Sequence, residues 1–302
     1  MASITRPGQA PSHRPPPTGG RGPSAGRVAL SGLTRWGIVL VLSLIAVIAI
    51  YPIVFMGLSS FRTSFEYLTN PIGWPTGFSY VDNFVAVYYR FNLPRLFMNT
   101  VTYILMASAI TLGVAVPASF TFAKMRFPRR EGLRTAMIAT LIMPPVTFLV
   151  PSYVMFANLG IIDTSLPVVL LWSATAVPGS IFLLSALMRG IPSEILEAAR
   201  LDGAGYLETL LRIALPLSLP GIVTVMIFNV TAWWNDLLIP LVFIGQEEKT
   251  TLTAAAATIG SRFSMDFPLV LCGLFLASVP PVIAYIILQR YIRRGLVLGA
   301  VK

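Results

Sequence analysis

The side chains that most enzymes use for acid–base, nucleophilic or metal chemistry are scarce in this chain. It holds one histidine, His13, and one cysteine, Cys272. A zinc protease of the H-E-x-x-H type needs two histidines, and a serine hydrolase needs a histidine base beside its nucleophile. None of the three lysines, Lys124, Lys249 and Lys302, follows a glycine, so the chain lacks the G-K-[ST] signature of a phosphate-binding loop. We therefore expect no catalytic residue, no metal site and no cofactor.

One long segment of mixed charge indicates contact with another protein instead of catalysis. Residues 191–216 read I-P-S-E-I-L-E-A-A-R-L-D-G-A-G-Y-L-E-T-L-L-R-I-A-L-P. Gly203 can end a first short helix in the left-handed region. A second short helix is predicted from about Tyr206 to Ala214, with Pro216 stopping it. Two short amphipathic helices that meet at a glycine form a projecting knob, and such a knob can insert into a groove on a partner protein.

An alternative for the same segment is a pair of amphipathic helices lying on the membrane surface. The polar face would then be rich in lysine and arginine. Within residues 189–221 the acidic side chains outnumber the basic ones by four to three, namely Glu194, Glu197, Asp202 and Glu208 against Arg189, Arg200 and Arg212. This balance disfavours contact with anionic lipid and favours the protein contact.

The composition of the 302 residues identifies the environment of these segments. Hydrophobic residues make up 55% of the chain, charged residues make up 11%, and the mean hydropathy is +0.77. A soluble domain typically carries about 25% charged residues. So few charged residues could not cover this much apolar surface in water. The same composition excludes a chain that is disordered throughout. The chain is therefore expected to be an all-α integral membrane protein.

Six apolar segments approach the ~20 residues that a helix needs to cross a bilayer. They are Gly37–Leu58, Asn99–Phe122, Thr135–Phe156, Leu166–Met188, Ile222–Ile244 and Pro268–Leu288. Proline interrupts the third segment at Pro144, Pro145 and Pro151, and each proline removes a helical hydrogen bond. We nevertheless predict six transmembrane helices.

The distribution of lysine and arginine predicts the orientation of these helices. Seventeen of the 22 basic residues lie in the two termini and in loops 123–134 and 189–221, and five lie in the alternate loops. Since cytoplasmic segments carry the excess of positive charge, both termini and the 189–221 loop are predicted to be cytoplasmic. This distribution also explains the net charge of +10 without any contact to nucleic acid.

The chain divides into three predicted parts. Residues 1–35 hold six prolines, six glycines, five arginines and no acidic residue, as expected for a disordered basic tail. Residues 36–95 comprise the first transmembrane helix and an outer loop. Residues 96–302 form a core with five transmembrane helices and the cytoplasmic 189–221 loop.

One ionisable residue, Asp236, falls inside the six predicted spans. By the predicted bounds it lies near the middle of the fifth, where an aspartate costs roughly 2.5–3.5 kcal/mol unless it faces protein or water. We interpret Trp234, Asn235 and Asp236 as candidates for a translocation path or gate. Two alternatives are a hydrogen bond between helices and an early helix end beside tryptophans of the membrane interface.

The segment E-A-A-R-L-D-G-A, followed by I-x-L-P, resembles the cytoplasmic loop of ABC-importer permeases. The matching residues are Glu197, Ala198, Ala199, Asp202, Gly203, Ala204, Ile213, Leu215 and Pro216. Further resemblances are Asn99-Thr100 at the start of the core, Phe127-Pro128, Leu159–Thr164, Trp234-Asn235-Asp236 and the ending Gly295–Lys302. Together they are typical of the carbohydrate-importer branch, of the second maltose-type permease subunit.

This resemblance implies a non-catalytic permease subunit of an ATP-driven sugar importer in the bacterial plasma membrane. It implies four partner chains, namely a second homologous permease, two ATP-binding subunits and an extracytoplasmic sugar-binding protein, and it implies that this chain contacts membrane lipid. The loop residues that couple to the ATP-binding subunits would be Glu197, Ala198, Ala199, Asp202, Gly203, Ala204, Leu215 and Pro216. Transport would proceed by alternating access. A disaccharide, an oligosaccharide, a sugar alcohol and glycerol phosphate all remain open as cargo.

The main alternative is a secondary transporter driven by an ion gradient. Such proteins place coupling acids or broken helices near the bilayer midplane. This chain has one acid within the predicted spans and no detectable internal repeat. A membrane scaffold without a transport role is a third hypothesis.

Overall fold

The computed structural model describes residues 32–262 and 266–300, and the predicted tail lies almost wholly outside these ranges. The described residues contain helices and connecting turns but no strand, which confirms the all-α class. The α-helices are α1 (Gly32–Ser59), α2 (Ser64–Thr69), α3 (Asp82–Arg90), α4 (Leu93–Lys124), α5 (Arg130–Ile142), α6 (Leu149–Asn158), α7 (Leu166–Arg189), α8 (Ser193–Leu201), α9 (Tyr206–Thr209), α10 (Leu215–Asn235), α11 (Leu238–Phe243), α12 (Leu252–Arg262) and α13 (Phe267–Ala300). Pro145–Phe148 and Glu247–Lys249 form 3-10 turns, and Leu210–Ala214 forms a π-helical turn.

Five helical stretches in the described residues are long and apolar enough to cross a membrane. They are Arg35–Ser59, Leu93–Lys124, Leu166–Arg189, Tyr206–Asn235 and Phe267–Ile287. A bent pair, Arg130–Ile142 with Pro145–Asn158, raises the number to six if it is counted as one span. The first, fourth and sixth predicted segments are confirmed to within two residues at each end, and the second is confirmed but begins six residues earlier, at Leu93.

The third predicted segment, Thr135–Phe156, is not one straight helix. Its two halves meet at an angle of 95°. The residue before a proline is driven out of the helical region, and two successive prolines apply this restriction twice. Met143 accordingly has ψ 124° and Pro144 has ψ 131°, both extended. The helix restarts only after Pro145, whose fixed φ suits a first turn.

The bounds predicted for the fifth segment, Ile222–Ile244, are wrong. The helix that contains this segment runs from Tyr206 to Asn235, 30 residues without interruption. It therefore starts inside the 189–221 loop and ends before Asp236, which has an extended backbone with ψ 120°. Asp236 consequently lies at a helix end and not in the middle of a span.

Pro216 does not stop the second loop helix, contrary to the prediction. It occupies the first turn of α10, directly after the π-helical turn Leu210–Ala214. A π turn shifts each hydrogen bond by one residue and widens the helix, and it commonly appears as a single turn inside an α-helix. Proline has no N–H to donate, and the first turn of an α-helix does not need one. The helix therefore continues past Pro216.

The longest interface in the core joins α4 to α7 and is lined by small residues. Ala107 and Ala115 on α4 are fully buried, and Ser173 Oγ donates to the Ala107 carbonyl across the interface at 3.3 Å. Small side chains let helix backbones approach closely in a membrane protein. The α7–α10 interface is also tight, since a Cβ on Gly221 would lie 2.5 Å from Leu187 Cδ1.

The two larger of the three buried clusters in the described residues are the tryptophan cluster and the loop cluster. The tryptophan cluster includes Phe156, Trp172, Trp233, Trp234 and Phe243. The loop cluster includes Phe120, Leu184, Met188, Leu196 and Leu210. The first cluster packs beneath the ends of α10 and α11, and the second packs α8 and the π turn against α4 and α7.

A buried arginine organises the segment between α1 and α3. The Arg62 side chain is 1% exposed, and its guanidinium donates to the carbonyls of Glu66 at 2.9 Å and Pro71 at 3.2 Å, and to that of Asn70. Asn83 on α3 donates to the carbonyls of Ser60 and Arg62, both at 2.9 Å. These bonds satisfy backbone carbonyls of α2 and of the turns before and after it.

Deletion of residues 1–30 tests the predicted role of the tail. We expect assembly and transport to stay near the level of the full-length chain, because a segment so rich in proline, glycine and arginine cannot bury a core. Membrane abundance and substrate uptake are the measurements. Loss of the assembled complex would instead reveal a docking function in the tail.

Candidate functional site

The 189–221 loop is built around the corner at Gly203. This glycine follows α8 and has φ +84°, as the sequence predicted. Its N–H donates to the Arg200 carbonyl at 3.0 Å, and the N–H of Ala204 donates to the Ala199 carbonyl at 2.9 Å. These two bonds form a Schellman motif, which satisfies the last carbonyls of a helix. The corner redirects the chain into α9 without leaving backbone acceptors open.

Side chains on the inner face of the loop anchor it to the core. Leu196 and Ala199 are buried on α8, and Leu210 and Ala214 are buried in the π turn. The Arg212 guanidinium pairs with the Glu208 carboxylate, one helical turn earlier, at 2.6 Å. Because both groups are largely exposed, this ion pair contributes little to stability, about 0.3–0.5 kcal/mol.

The outer face of the loop presents apolar side chains to its surroundings. Leu201 is 89% exposed and Leu207 is 62% exposed. A concave site of ≈ 350 Å³ lies beside them. It is lined by Ile195, Ala198, Ala199, Asp202, Gly203, Ala204, Glu208, Arg212 and Ile213. The structure thus brings five of the eight predicted loop residues to one depression.

The other three predicted loop residues lie apart from this depression. Glu197 is exposed on α8 and makes none of the ion pairs found among the described residues. Leu215 and Pro216 form the first turn of α10, beyond the π turn. They are placed to continue the helix and do not line the concave site.

A hydrogen-bonded contact between the loop and α4 was not predicted. The Tyr206 hydroxyl donates to the Pro117 carbonyl at 3.0 Å and lies 3.0 Å from Thr121 Oγ1. The Lys124 ammonium donates to the carbonyls of Arg189, at 3.0 Å, and Ile191 at the end of α7. The Lys124 contact could have been predicted from the sequence, because a lysine at the end of an apolar run is favoured beside the carbonyls of a helix C-terminus. The tyrosine contact depends on residues 85 or more positions apart and carries no such signal.

At the far end of α10, Asp236 makes a compact set of hydrogen bonds. Its Oδ2 accepts from Trp172 Nε1 at 2.6 Å. Its Oδ1 accepts from the backbone N–H of Leu238 at 3.0 Å and of Ile239 at 3.4 Å. The carboxylate therefore joins α7 to α10 and caps the first turn of α11. An early helix end and an interhelical hydrogen bond, the two alternatives to a mid-span acid, both occur here.

A cavity of ≈ 420 Å³ opens beside this carboxylate. Trp172 and Trp233 form its aromatic wall, with ring centroids 6.0 Å apart and planes at 12°. The remaining lining residues are Pro145, Val146, Leu149, Thr175, Ala176, Asn229, Ala232, Asp236, Leu238 and Ile239. The break in the bent pair α5–α6 forms part of this wall. Its position beside the cavity is favourable, because irregular backbone at membrane depth requires a hydrogen-bond partner in protein or water.

The three predicted path residues point in different directions. Asp236 lines the cavity. The Trp234 indole N–H donates to the Ala277 carbonyl on α13 at 3.1 Å, so this ring packs away from the cavity. The exposed Asn235 side chain donates to the Thr231 carbonyl of its own helix. Trp172, which the sequence did not single out, supplies the contact that orients Asp236.

In the described ranges, no three acidic, histidine or cysteine side chains cluster closely enough to hold a metal ion.

The family profile described as "Binding-protein-dependent transport system inner membrane component" matches residues 113–297. The chain belongs to this family. The matched region contains the loop, the corner at Gly203 and the carboxylate at Asp236. Family membership together with the long apolar helices makes the chain a multi-pass component of the inner membrane and a transport component.

Relatives from several bacteria match most of the chain. An osmoprotective compounds uptake permease of Synechocystis sp. is 33% identical, over 85% of this chain and 89% of its own length. A diacetylchitobiose uptake permease of Streptomyces coelicolor is 28% identical, over 82% of each chain. A melibiose/raffinose/stachyose import permease of Bacillus subtilis is 29% identical, over 88% of this chain and 96% of its own.

A solved structure shares the fold of this family member. It is a bacterial ABC transporter that imports the acidic polysaccharide alginate. The matched chain superposes with a TM-score of 0.71 at 21% identity, over 85% of this chain and 96% of its own. The fold inferred from the sequence, an ABC-importer permease, is confirmed.

Proposed function

We propose that the chain is a membrane-spanning permease subunit of an ATP-driven sugar importer and forms half of its translocation path. The observation that carries this proposal is the match, over more than four-fifths of the chain, to permeases named for carbohydrate uptake. The solved importer with the same fold carries a polysaccharide. The named relatives take up different sugars, so the proposal extends to the class of substrate and not to one sugar.

The proposed partners are a second homologous permease, two ATP-binding subunits and an extracytoplasmic sugar-binding protein. ATP hydrolysis belongs to the ATP-binding subunits, and this chain does no covalent chemistry. A solved complex of the alginate transporter with its pentasaccharide-bound periplasmic protein supports the last of these partners by analogy.

The exposed corner of the 189–221 loop is the proposed contact with an ATP-binding subunit. Leu201 and Leu207 offer apolar surface, and the concave site lined by Gly203 and Arg212 can receive a side chain of the partner. Insertion of a short helical element into a partner groove follows the helix-in-groove mode of recognition. The bonds of Tyr206 and Lys124 to α4 and α7 then transmit force from the loop to the membrane helices.

The cavity beside Asp236 is the proposed part of the path contributed by this chain. It combines aromatic walls with a few polar groups, the usual character of a small-molecule site. Asp236, Asn229 and Thr175 provide these polar groups. Asp236 acts here by holding Trp172 and α11 in place, while Trp234 and Asn235 support the same helix end.

Uptake by reconstituted vesicles tests the proposal. The chain is co-purified with its partner subunits, and sugar entry is compared with and without ATP and with an ion gradient alone. We expect entry that requires ATP and the binding protein. Entry driven by an ion gradient without ATP would favour a secondary transporter, and no entry of any sugar under either condition would favour a scaffold.

The predicted orientation can be tested at Leu159, in the loop between α6 and α7. In a Cys272→Ser chain, Leu159→Cys should react with a membrane-impermeant thiol reagent added from outside. Leu159 suits labelling because its side chain is 64% exposed. Asp163 in the same loop suits labelling less well, because its backbone has φ +62° and its carboxylate accepts a hydrogen bond from the Gly245 N–H. Reaction only after the membrane is opened would reverse the predicted orientation.

A further inference from the structure

Three arginines from two helices surround one recess at the membrane boundary. Arg130 and Arg134 lie one turn apart on α5, and Arg189 is the last residue of α7. Phe122, Met137, Phe182 and Ser185 complete the lining, and the interior of ≈ 10 Å³ has room for about one water, so a larger group can bind only at the rim. We call these three arginines and their recess the arginine recess.

Within the described residues, the basic side chains of the 123–138 segment outnumber the acidic side chains near them, which are Glu131 and, beside Lys124, Glu194. Residues 123–138 contain five basic side chains and one acidic side chain, Glu131. The Glu131 carboxylate is 75% exposed and lies 3.8 Å from the Arg134 guanidinium, too far for a hydrogen bond. Arg130 also stands at the first residue of α5, where the helix dipole disfavours a cation. An anion at the rim of the recess, against the guanidinium groups, would remove this repulsion.

Hydrogen-bonding capacity for such an anion is present. Arg130 Nη2 donates to the Phe122 carbonyl, and Arg189 Nε donates to the Ser185 carbonyl at 3.3 Å. These two bonds fix the two side chains but use two donors of guanidinium groups that carry five each. Guanidinium groups bind phosphate oxygens in pairs, which makes arginine the preferred residue for such recognition.

The depth of the recess and its apolar wall indicate where the anion comes from. Lys124 and Arg189 end two of the candidate spans, and Arg130 begins the bent pair, so the recess lies at the level of lipid head groups. On the span side, Phe182 is 40% exposed and Ile138 is 38% exposed. A phosphate held by the arginines therefore has apolar surface directly beside it for acyl chains.

We propose that the arginine recess binds the head-group phosphate of an anionic phospholipid, with its acyl chains against Phe182 and Ile138. Basic pockets between transmembrane helices are a recurrent form of lipid recognition. Binding of the lipid would fix the start of α5 against the end of α7. Because the bent pair α5–α6 forms part of the cavity wall, the lipid would also stabilise one side of the cavity.

Native mass spectrometry of the purified full-length chain tests this proposal. The probes are dioleoyl phosphatidylglycerol and dioleoyl phosphatidylcholine, which share their acyl chains and differ in charge. We expect phosphatidylglycerol to saturate one tight site that phosphatidylcholine does not fill. In Arg134→Gln/Arg189→Gln the affinity for phosphatidylglycerol should fall about 30-fold, because each arginine near an anionic head group contributes a factor of about five.

A matched control is Arg126→Gln/Arg129→Gln, which removes two charges from the same loop outside the recess lining and should keep the tight site. Arg134→Lys/Arg189→Lys retains the charge and should recover part of the affinity, and monodisperse elution verifies that each variant is folded. Equal binding of the two lipids, or equal loss in the control variant, would overturn the proposal. Displacement of phosphatidylglycerol by inorganic phosphate at equal concentration would show a site for a soluble anion and overturn it also.

Discussion

A Gly203→Val chain should insert into the membrane at normal abundance yet lose sugar uptake and co-purification of the ATP-binding subunit. At φ +84° a residue with a Cβ is strained by about 1–2 kcal/mol, and a β-branched residue is among the least tolerated. The strain is relieved by opening the Schellman corner, which displaces α8 relative to α9. No atom lies within 4 Å of the added Cβ, so backbone conformation alone is responsible.

Gly205→Val is the matched control for this experiment. Gly205 also has open space around its Cβ position, but its φ of −74° suits any residue. We expect uptake and co-purification in this variant to remain close to those of the parent chain. Normal uptake and co-purification in Gly203→Val would contradict the coupling role of the loop. Equal failure of both glycine variants would assign the effect to side-chain bulk and not to the left-handed corner.

Replacement of Asp236 should produce the second large effect, a loss of both stability and uptake. Asp236→Leu leaves the Trp172 indole N–H and the backbone N–H groups of Leu238 and Ile239 without their acceptor. A buried donor such as the Trp172 indole N–H costs about 1–3 kcal/mol when it is left unpaired, whereas the exposed Leu238 N–H can bind water. The Trp172 side chain is 1% exposed, so water cannot easily replace the lost partner. We expect a marked fall in the midpoint of thermal unfolding of the purified complex.

Asp236→Asn separates hydrogen bonding from charge in the same experiment. An asparagine retains one acceptor oxygen, so it can keep either the Trp172 bond or the α11 cap, and the loss of stability should be intermediate. Asn235→Leu is the control, since the exposed Asn235 side chain bonds only to its own helix. Parent-like stability in Asp236→Leu would disprove the positioning role of this carboxylate.

Elements that depend on local composition were predictable from the sequence. Long apolar runs identify the spans because no other structure satisfies so many backbone groups in lipid. The corner at Gly203 was predictable because φ > 0 follows from residue type and position. The break at Pro144 was also visible in the sequence, but its angle of 95° depends on packing that no local rule contains.

Elements that depend on competition between local and distant interactions were not predictable. Pro216 normally signals a helix end, yet the π turn before it lets the helix continue. The predicted bounds of the fifth segment followed hydropathy through Leu237–Ile244. In the structure the helix ends before this apolar segment, because Asp236 caps α11 and accepts a hydrogen bond from Trp172, 64 residues earlier in the chain. The cavity wall likewise combines α5–α6, α7 and α10, whose association is tertiary.

The uninterrupted helix from Tyr206 to Asn235 has a mechanical consequence. Thirty helical residues at 1.5 Å per residue give a rod about 45 Å long. One end belongs to the loop, and the other end precedes Asp236 at the cavity. If the rod pivots near its middle, a tilt of about 10° moves each end by about 4 Å in opposite directions. Provided that the helix does not bend at the π turn or at Pro220, a small displacement of the loop by a partner is thus converted into a displacement of atomic-contact size at the wall of the cavity.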